Sequence, residues 1–386
     1  MSMLGFAGLL RLSFKYPKYF RHLLFRKVRM AARFWRVKYF KFPRRAPLPI
    51  CYELVLTYKC NLRCRMCFQW GDHGWCKRMD PEFANKELDL AVAERLMGSH
   101  LIFKPSFILF GGEPLLYSRI RELMHLFKRK RCFAYIGTNG LLLSDLVDAI
   151  KGNPYLIFAV SLDGLQTTND AIRGKGVFEK VIYNVRNLKK LKRPPYIGCE
   201  FTVLPQNVGE MYAFCKAMIA SGIDWILFNL CWFISEQQAQ GYEEIVGRKF
   251  GVTPRTHLGY LFEHDLDRRV FAEQYRLIES EKWPVQISWM PSLKNADQIR
   301  DYLDTPEDTL GRQKCFKQWI RMDVQPSGEI VACKQFPDLI MGDLNTHSTS
   351  EAWNSNEFLD FRKMIDERLL PICSKCNQLY LYDPSR

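Results

Sequence analysis

From residue 51 to residue 230 the chain alternates short β-rich runs with helical stretches six times in succession. The β-rich runs fall at 53–57, 107–110, 134–138, 156–162, 198–204 and 225–230. Helical patterns near 86–97, 120–128, 144–151, 178–192 and 208–220 separate them. Parallel neighbours need a long crossover, usually a helix, so this alternation predicts an α/β fold with a parallel sheet curled into a barrel or part of one. In such a sheet, chemistry gathers at the C-terminal ends of the strands.

The rest of the chain divides around that series. Residues 1–49 form a basic arm closed by Pro43, Pro47 and Pro49, and 50–235 hold the strand–helix core. Residues 236–310 are an aromatic- and Gln/Glu-rich connection with no clear assignment, placed to cover substrate. Residues 311–386 start a new pattern, with a hairpin across Gln325-Pro326-Ser327-Gly328 and a helix near 357–365. The formal charge of +15 belongs to the arm, where 13 Lys/Arg and no acid occupy residues 1–45. The body is near neutral and gives no reason to expect a nucleic-acid groove. No run of about 18 apolar residues is present, so no spanning helix is expected. Met3 to Leu10 is apolar, but basic residues follow it and no small-residue cleavage site appears, which reads against a secretory signal.

Seven of the 13 cysteines fall into two groups. Cys60, Cys64 and Cys67 lie within eight residues directly after the first strand. Three thiolates on one loop can bind three irons of a [4Fe–4S] cubane, leaving the fourth iron for a small molecule. Zinc is the rival, with Cys76 or His73 as a fourth ligand.

Cys-x3-Cys-x2-Cys in this place resembles the radical S-adenosylmethionine (SAM) enzymes, with Met66 where an aromatic is usual. Downstream residues match in order. Gly111-Gly112-Glu113-Pro114 resembles the motif for the methionine amino group, its small residues letting backbone approach the ligand. Thr138-Asn139-Gly140 ends the third strand. Ser161 and Asp163 end the fourth, alternating onto one face suited to ribose hydroxyls. Asn169-Asp170-Ala171-Ile172-Arg173-Gly174 resembles His-Asp-x-x-Arg-Gly, its Arg pairing with the SAM carboxylate. The resemblance implies a partial (βα)6 TIM-like barrel holding a SAM-binding cluster on Cys60, Cys64 and Cys67. It also implies SAM against Gly111, Gly112, Glu113, Thr138, Asn139, Ser161, Asp163 and Arg173.

The second group, Cys315, Cys333, Cys373 and Cys376, resembles the C-terminal SPASM/Twitch extensions of the same enzymes. Gly342-Asp343-Leu344, Glu351-Ala352-Trp353 and Phe361-Arg362 fall between its members. With no cysteine after Cys376, the shorter α+β Twitch form with one auxiliary [4Fe–4S] cluster is implied, a zinc ribbon being the other reading. Cys199 and Cys231, on or just after barrel strands, are candidate hydrogen donors, although each also reads as a buried thiol.

The arm interleaves its cations with 11 aromatics. Pro17 should break a helix, leaving 18–42 helical, with Phe20, Leu24, Ala31 and Trp35 near one face. Three readings are open: an anionic membrane surface, RNA, or packing on the body. The expected protein is a cytoplasmic oxidoreductase, peripheral on the cytoplasmic face of the membrane through residues 1–45. By the resemblance it cleaves SAM to a 5′-deoxyadenosyl radical with an electron from a partner such as flavodoxin or ferredoxin. It then removes hydrogen from an unactivated carbon of a lipid- or sugar-type substrate, a dehydrogenation assisted by the auxiliary cluster. A peptide maturase, either a Cys-dependent epimerase or a cross-linking enzyme, is the alternative. A non-catalytic iron–sulfur electron carrier is the alternative of another class.

Overall fold

The computed structural model describes residues 12–39, 45–100, 104–262, 265–292 and 295–382. Its centre is a run of seven parallel strands: β1 (Cys51–Val55), β2 (Ser106–Phe110), β3 (Phe133–Thr138), β4 (Leu156–Ser161), β5 (Tyr196–Val203), β6 (Trp225–Leu230) and β7 (Gln286–Met290). Each pairs with the next, from Cys51 opposite Ser106 to Trp225 opposite Gln286. Six strands stand within a residue or two of their expected places. The seventh corrects the sequence reading of 236–310: Gln286–Met290 is too short and mixed to show an alternation, and becomes a strand only by pairing with β6.

The sheet also continues beyond β1. β8 (Arg321–Val324) lies parallel to it, and β9 (Glu329–Cys333) and β10 (Phe336–Asp343) follow antiparallel, giving the order β10-β9-β8-β1-β2-β3-β4-β5-β6-β7. The expected hairpin at Gln325–Gly328 joins β8 to β9, with Gly328 at a φ of +88° beside the Asn345 side chain. The second cysteine group is therefore built on the same sheet as the first.

Alternation along the strands separates two faces. Tyr52, Leu54, Phe107, Leu109, Phe158, Val160, Ile197 and Phe201 point to the helices and share one apolar core. Each such fully buried Leu or Phe contributes about 1.5–3 kcal/mol. The inner face instead carries Glu53, Phe110, Tyr135, Ser161, Glu200, Thr202 and Asn229, most of them half-buried, so a polar lumen runs inside the curled sheet.

The arm forms a helix, α1 (Pro17–Tyr39). As expected, Pro17 separates it from the helical turn at 12–15, the break falling at Tyr16, and Pro17 itself takes the first-turn position, where no amide donor is needed. Of the residues read from the sequence, Met3 to Leu10, Pro43 and positions 40–42 of the expected helix lie outside the described ones. The helix lies across the strand beginnings. Tyr19 packs on Phe133 and Tyr196 at 5.7 and 5.3 Å, His22 meets Ser106 Oγ at 2.9 Å, and Phe34 packs on Phe316 at 4.6 Å. Arg33 donates to the carbonyls of Pro47, Leu48 and Trp319. Among the described residues no helix is long and apolar enough to cross a membrane.

Candidate active site

The loop bearing Cys60, Cys64 and Cys67 leaves the C-terminal end of β1 and is tied down on three sides. Gly112 and Glu113 donate backbone N–H groups to the carbonyls of Thr57 and Lys59 at 2.9 and 2.8 Å. Arg65 donates to the Ile172 carbonyl at 3.2 Å, and Asn139 Nδ2 donates to Asn61 Oδ1 at 2.8 Å. The glycines explain the first contact. Gly111 sits at a φ of +145°, and a Cβ there would come within 2.2 Å of the Thr57 carbonyl oxygen; one on Gly112 would lie 2.3 Å from those of Tyr58 and Lys59. These small residues let the backbone that carries the cysteines approach closely.

Burial, and after it the neighbouring thiols, pushes the Cys60 thiol up to about 12 and raises that of Cys64. Such groups stay protonated at neutral pH until a metal displaces the proton. Leu62 N–H points at Cys60 Sγ and Trp70 N–H at Cys67 Sγ, both at 3.4 Å, and Arg173 Nη1 lies 3.9 Å from Cys64 Sγ. Donors directed at sulfur are what a thiolate-ligated cluster uses to tune its potential. Among the described residues no three His, Cys, Asp or Glu converge on a single ion position. Cys76 is buried among Val55, Tyr58 and Trp75, with burial and then the nearby Cys67 and Cys60 raising its pKa, and His73 stacks toward Phe262. The arrangement fits a cubane.

Glu113 is buried at the end of β2, and its carboxylate is already engaged. It accepts from Leu115 N at 2.9 Å, Thr138 Oγ1 at 2.7 Å and Asn139 N at 2.7 Å. Burial still pushes its pKa up. It joins β2 to β3 with one lone-pair direction left for a ligand cation. Ser161 is half-buried at the end of β4.

Asp163, fully buried, does not stand free for a hydroxyl. Its Oδ2 lies 2.6 Å from Arg173 Nη2, and its Oδ1 accepts from Thr202 N at 2.7 Å. Asn169, standing where His is usual, accepts from Asp163 N at 3.0 Å, so an amide does the holding. Asn207, not singled out from sequence, donates to the carbonyls of Asp163 and Thr202. Arg173 Nε is buried without a hydrogen-bond partner among the described residues. An orphaned guanidinium donor beside the cysteine loop fits an anionic group such as the SAM carboxylate.

Cys315, Cys333, Cys373 and Cys376 line one cavity of about 40 Å³, walled by Tyr242, Phe336, Phe361 and Leu370. Burial pushes the Cys315 thiol up to about 11 and Cys373 well above its ordinary value. Four thiols facing one apolar void fit a fully ligated cluster.

Between the two cysteine sites lies a charge network that sequence reasoning missed. Arg321 pairs with Glu53 and, at 2.8 Å, with Asp323; Lys317 pairs with Asp323 at 2.7 Å; Lys334, next to Cys333, pairs with Glu53. Across the lumen, Tyr135 donates to Glu200, whose pKa burial pushes up. A lone Glu in each of two otherwise apolar strands was the available signal. Cys199 faces the other way, among the helix-side core with Ile197 and Phe201, which removes it as a donor into the lumen. Cys231 packs with Ile172, Leu204 and Met66, on the side of the cluster loop.

Residues 54–218 match the radical SAM superfamily, and residues 315–377 match the SPASM iron–sulfur cluster-binding domain. The chain belongs to the radical SAM superfamily. Within it, this is a radical SAM enzyme with a C-terminal SPASM domain, and its cofactors are SAM, a SAM-binding [4Fe–4S] cluster and auxiliary iron–sulfur ligation. Pre-heme d1 synthase of Dinoroseobacter shibae is 32% identical over 175 residues, 44% of this chain and 40% of that protein. Fe-coproporphyrin III synthase of Methanosarcina barkeri is 31% identical over 176 residues, 45% of this chain and 42% of that protein. These matches thus span about two-fifths of the relatives' own length. Streptococcus suis SuiB bound to S-adenosylmethionine has a similar fold, with a TM-score of 0.59, 14% identity, and coverage of 87% of this chain and 77% of that one.

Proposed function

We propose that this enzyme oxidises an unactivated carbon of a polar substrate held in the lumen, with Cys60, Cys64 and Cys67 on one side and the four-cysteine cavity on the other. When bound, the cofactors supply one-electron cleavage of SAM, hydrogen abstraction and an auxiliary electron acceptor. The chain's residues do the rest. Arg173, held by Asp163, and Glu113, held by β3, orient SAM through its carboxylate and ammonium. Glu200 is the carboxylate placed to take the substrate's second proton, with Tyr135 fixing its orientation. Lys334 lies over the Phe110 ring at 3.1 Å and carries positive charge from the auxiliary site to the lumen wall.

The observation that carries this reading is the pairing of β8 with β1, which makes the strands leading to the two cysteine sites neighbours. An auxiliary cluster of one-site Twitch type, ligated by all four cysteines, suits electron acceptance better than substrate binding. The test is anaerobic reconstitution followed by reductive SAM cleavage, then product formation with Glu200→Gln. Retained SAM cleavage with lost product supports the reading. Unimpaired product formation in Glu200→Gln overturns the proton-acceptor role.

A second reading, Cys-dependent epimerisation of a peptide, is favoured by Cys231 beside Met66 of the cluster loop. Solvent deuterium appearing in a product, and its loss in Cys231→Ser, would select that reading over oxidation.

A further inference from the structure

The helix α1 is apolar on two opposite sides, and only one of them is covered. Leu23, Phe34 and Val37 are buried against the body. On the outward side Leu24, Val28, Trp35 and Tyr39 are 47, 67, 58 and 56% exposed. Six of the eight large hydrophobics found exposed lie between Phe14 and Tyr39. At 3.6 residues per turn the outward residues share one face, and Lys18, Lys27 and Lys38 lie along its two edges, all exposed. No acid occurs anywhere in residues 1–45.

We infer that this outward face is a docking surface for an anionic lipid bilayer. An apolar stripe edged by lysines and free of acids matches the boundary between acyl chains and negative headgroups. A solvated arm has no physical reason to expose a tryptophan, a valine and a leucine in register. The inner contacts fix how the bilayer meets the barrel. They fall on Ser106, Phe133 and Tyr196, where β2, β3 and β5 begin. The cluster loop and Glu113 stand at the opposite ends of the strands. At about 3.3 Å per residue, five to eight residues of strand hold the site roughly 20 Å further from the bilayer, facing water. Substrate therefore arrives from the aqueous side. A substrate buried in the same bilayer, which the basic arm alone suggests, is out of reach. This inference does not depend on the oxidation proposed above.

The test uses the full chain with reconstituted clusters, sedimented with phosphatidylglycerol–phosphatidylcholine vesicles and with pure phosphatidylcholine vesicles. Binding should require the anionic lipid. It should fall at least tenfold in a Leu24→Asp/Val28→Asp/Trp35→Asp variant and in a Lys18→Glu/Lys27→Glu/Lys38→Glu variant. Iron content and SAM cleavage should match the parent; if the aspartate variant loses iron, Leu24→Ser/Trp35→Ser decides by the same measure. SAM cleavage should continue at an equal rate on vesicles, and its suppression would overturn the orientation. Equal binding to both vesicles, or unchanged binding after the apolar substitutions, would overturn the docking surface. So would either of two other occupants: single-stranded RNA bound without vesicle binding, or a dimer that the aspartate substitutions split.

Discussion

Arg173 Nη2 and Asp163 Oδ2 meet at 2.6 Å, with side chains 9% and 0% exposed, directly behind the cysteine loop. Each of these residues is expected from sequence to contact SAM separately. The structure joins them as an ion pair, and in the function proposed above Asp163 acts by aiming Arg173. Breaking a buried pair leaves one charge uncompensated, a loss of about 3–5 kcal/mol. Asp163→Asn and Arg173→Met should each lower stability by that order in anaerobic denaturant titrations. The double variant should recover part of the loss while still failing to bind SAM. Additive losses in the double variant would mean the two residues do not act as a pair.

Glu113 accepts three hydrogen bonds from β2 and β3, so its role can be separated from simple charge. Glu113→Ala removes bonds to a charged acceptor, each worth about 1.5–3 kcal/mol. Glu113→Gln keeps the shape but turns a donor toward Leu115 N or Asn139 N. Both variants should weaken SAM binding, measured by equilibrium dialysis, by roughly 5- to 150-fold for a loss of about 1–3 kcal/mol. Iron content should stay unchanged, since the loop's own contact at this turn uses the backbone of Gly112 and Glu113. Normal SAM affinity in both would place the methionine end elsewhere.

Replacing Cys315, Cys333, Cys373 and Cys376 by Ala empties one cavity of sulfur and leaves the other site untouched. Iron per chain should fall by about half, from the eight atoms of two [4Fe–4S] clusters to four. SAM cleavage should persist and substrate oxidation should be lost. Normal product formation would show that the electron leaves by another route. Changing Cys60, Cys64 and Cys67 instead should abolish SAM cleavage.

Docking of α1 should weaken in acid. Burial, with Arg26 and Arg29 nearby, holds His22 down at about 3, and His100 near Arg29 at about 4. Both are neutral in the folded protein and charge in the unfolded chain below about pH 6.5. Their contribution is complete above that pH and is lost progressively as the pH falls toward the folded values. Thermal unfolding followed from pH 7 to 4 should show that slope. His22→Phe, which keeps an aromatic ring against Phe133, should flatten it. An identical slope in both proteins would assign the acid sensitivity to other groups.

The barrel series and the cluster loop were legible in the sequence, because both depend on local patterns. Strand–helix alternation has a short period, and Cys60, Cys64 and Cys67 lie within one turn of chain. The order of Glu113, Asn139 and Asp163 was legible for the same reason, since each follows a strand within three residues, and Arg173 ends the short helix Gln166–Arg173 that comes next. Tertiary structure decided whatever depends on distant partners. Gln286–Met290 is a strand because β6 offers it an edge, and β8 joins β1 across more than 260 residues of chain. Pairing joined Asp163 to Arg173, and close approach seated the backbone of the cluster loop on Gly111 and Gly112. A one-residue step along β5 put Glu200 in the lumen and Cys199 in the apolar core, a choice set by which face the helices cover. Amphipathicity marked α1 as a helix with surfaces to bury, but only the barrel's lower mouth selected which of its two apolar sides is buried.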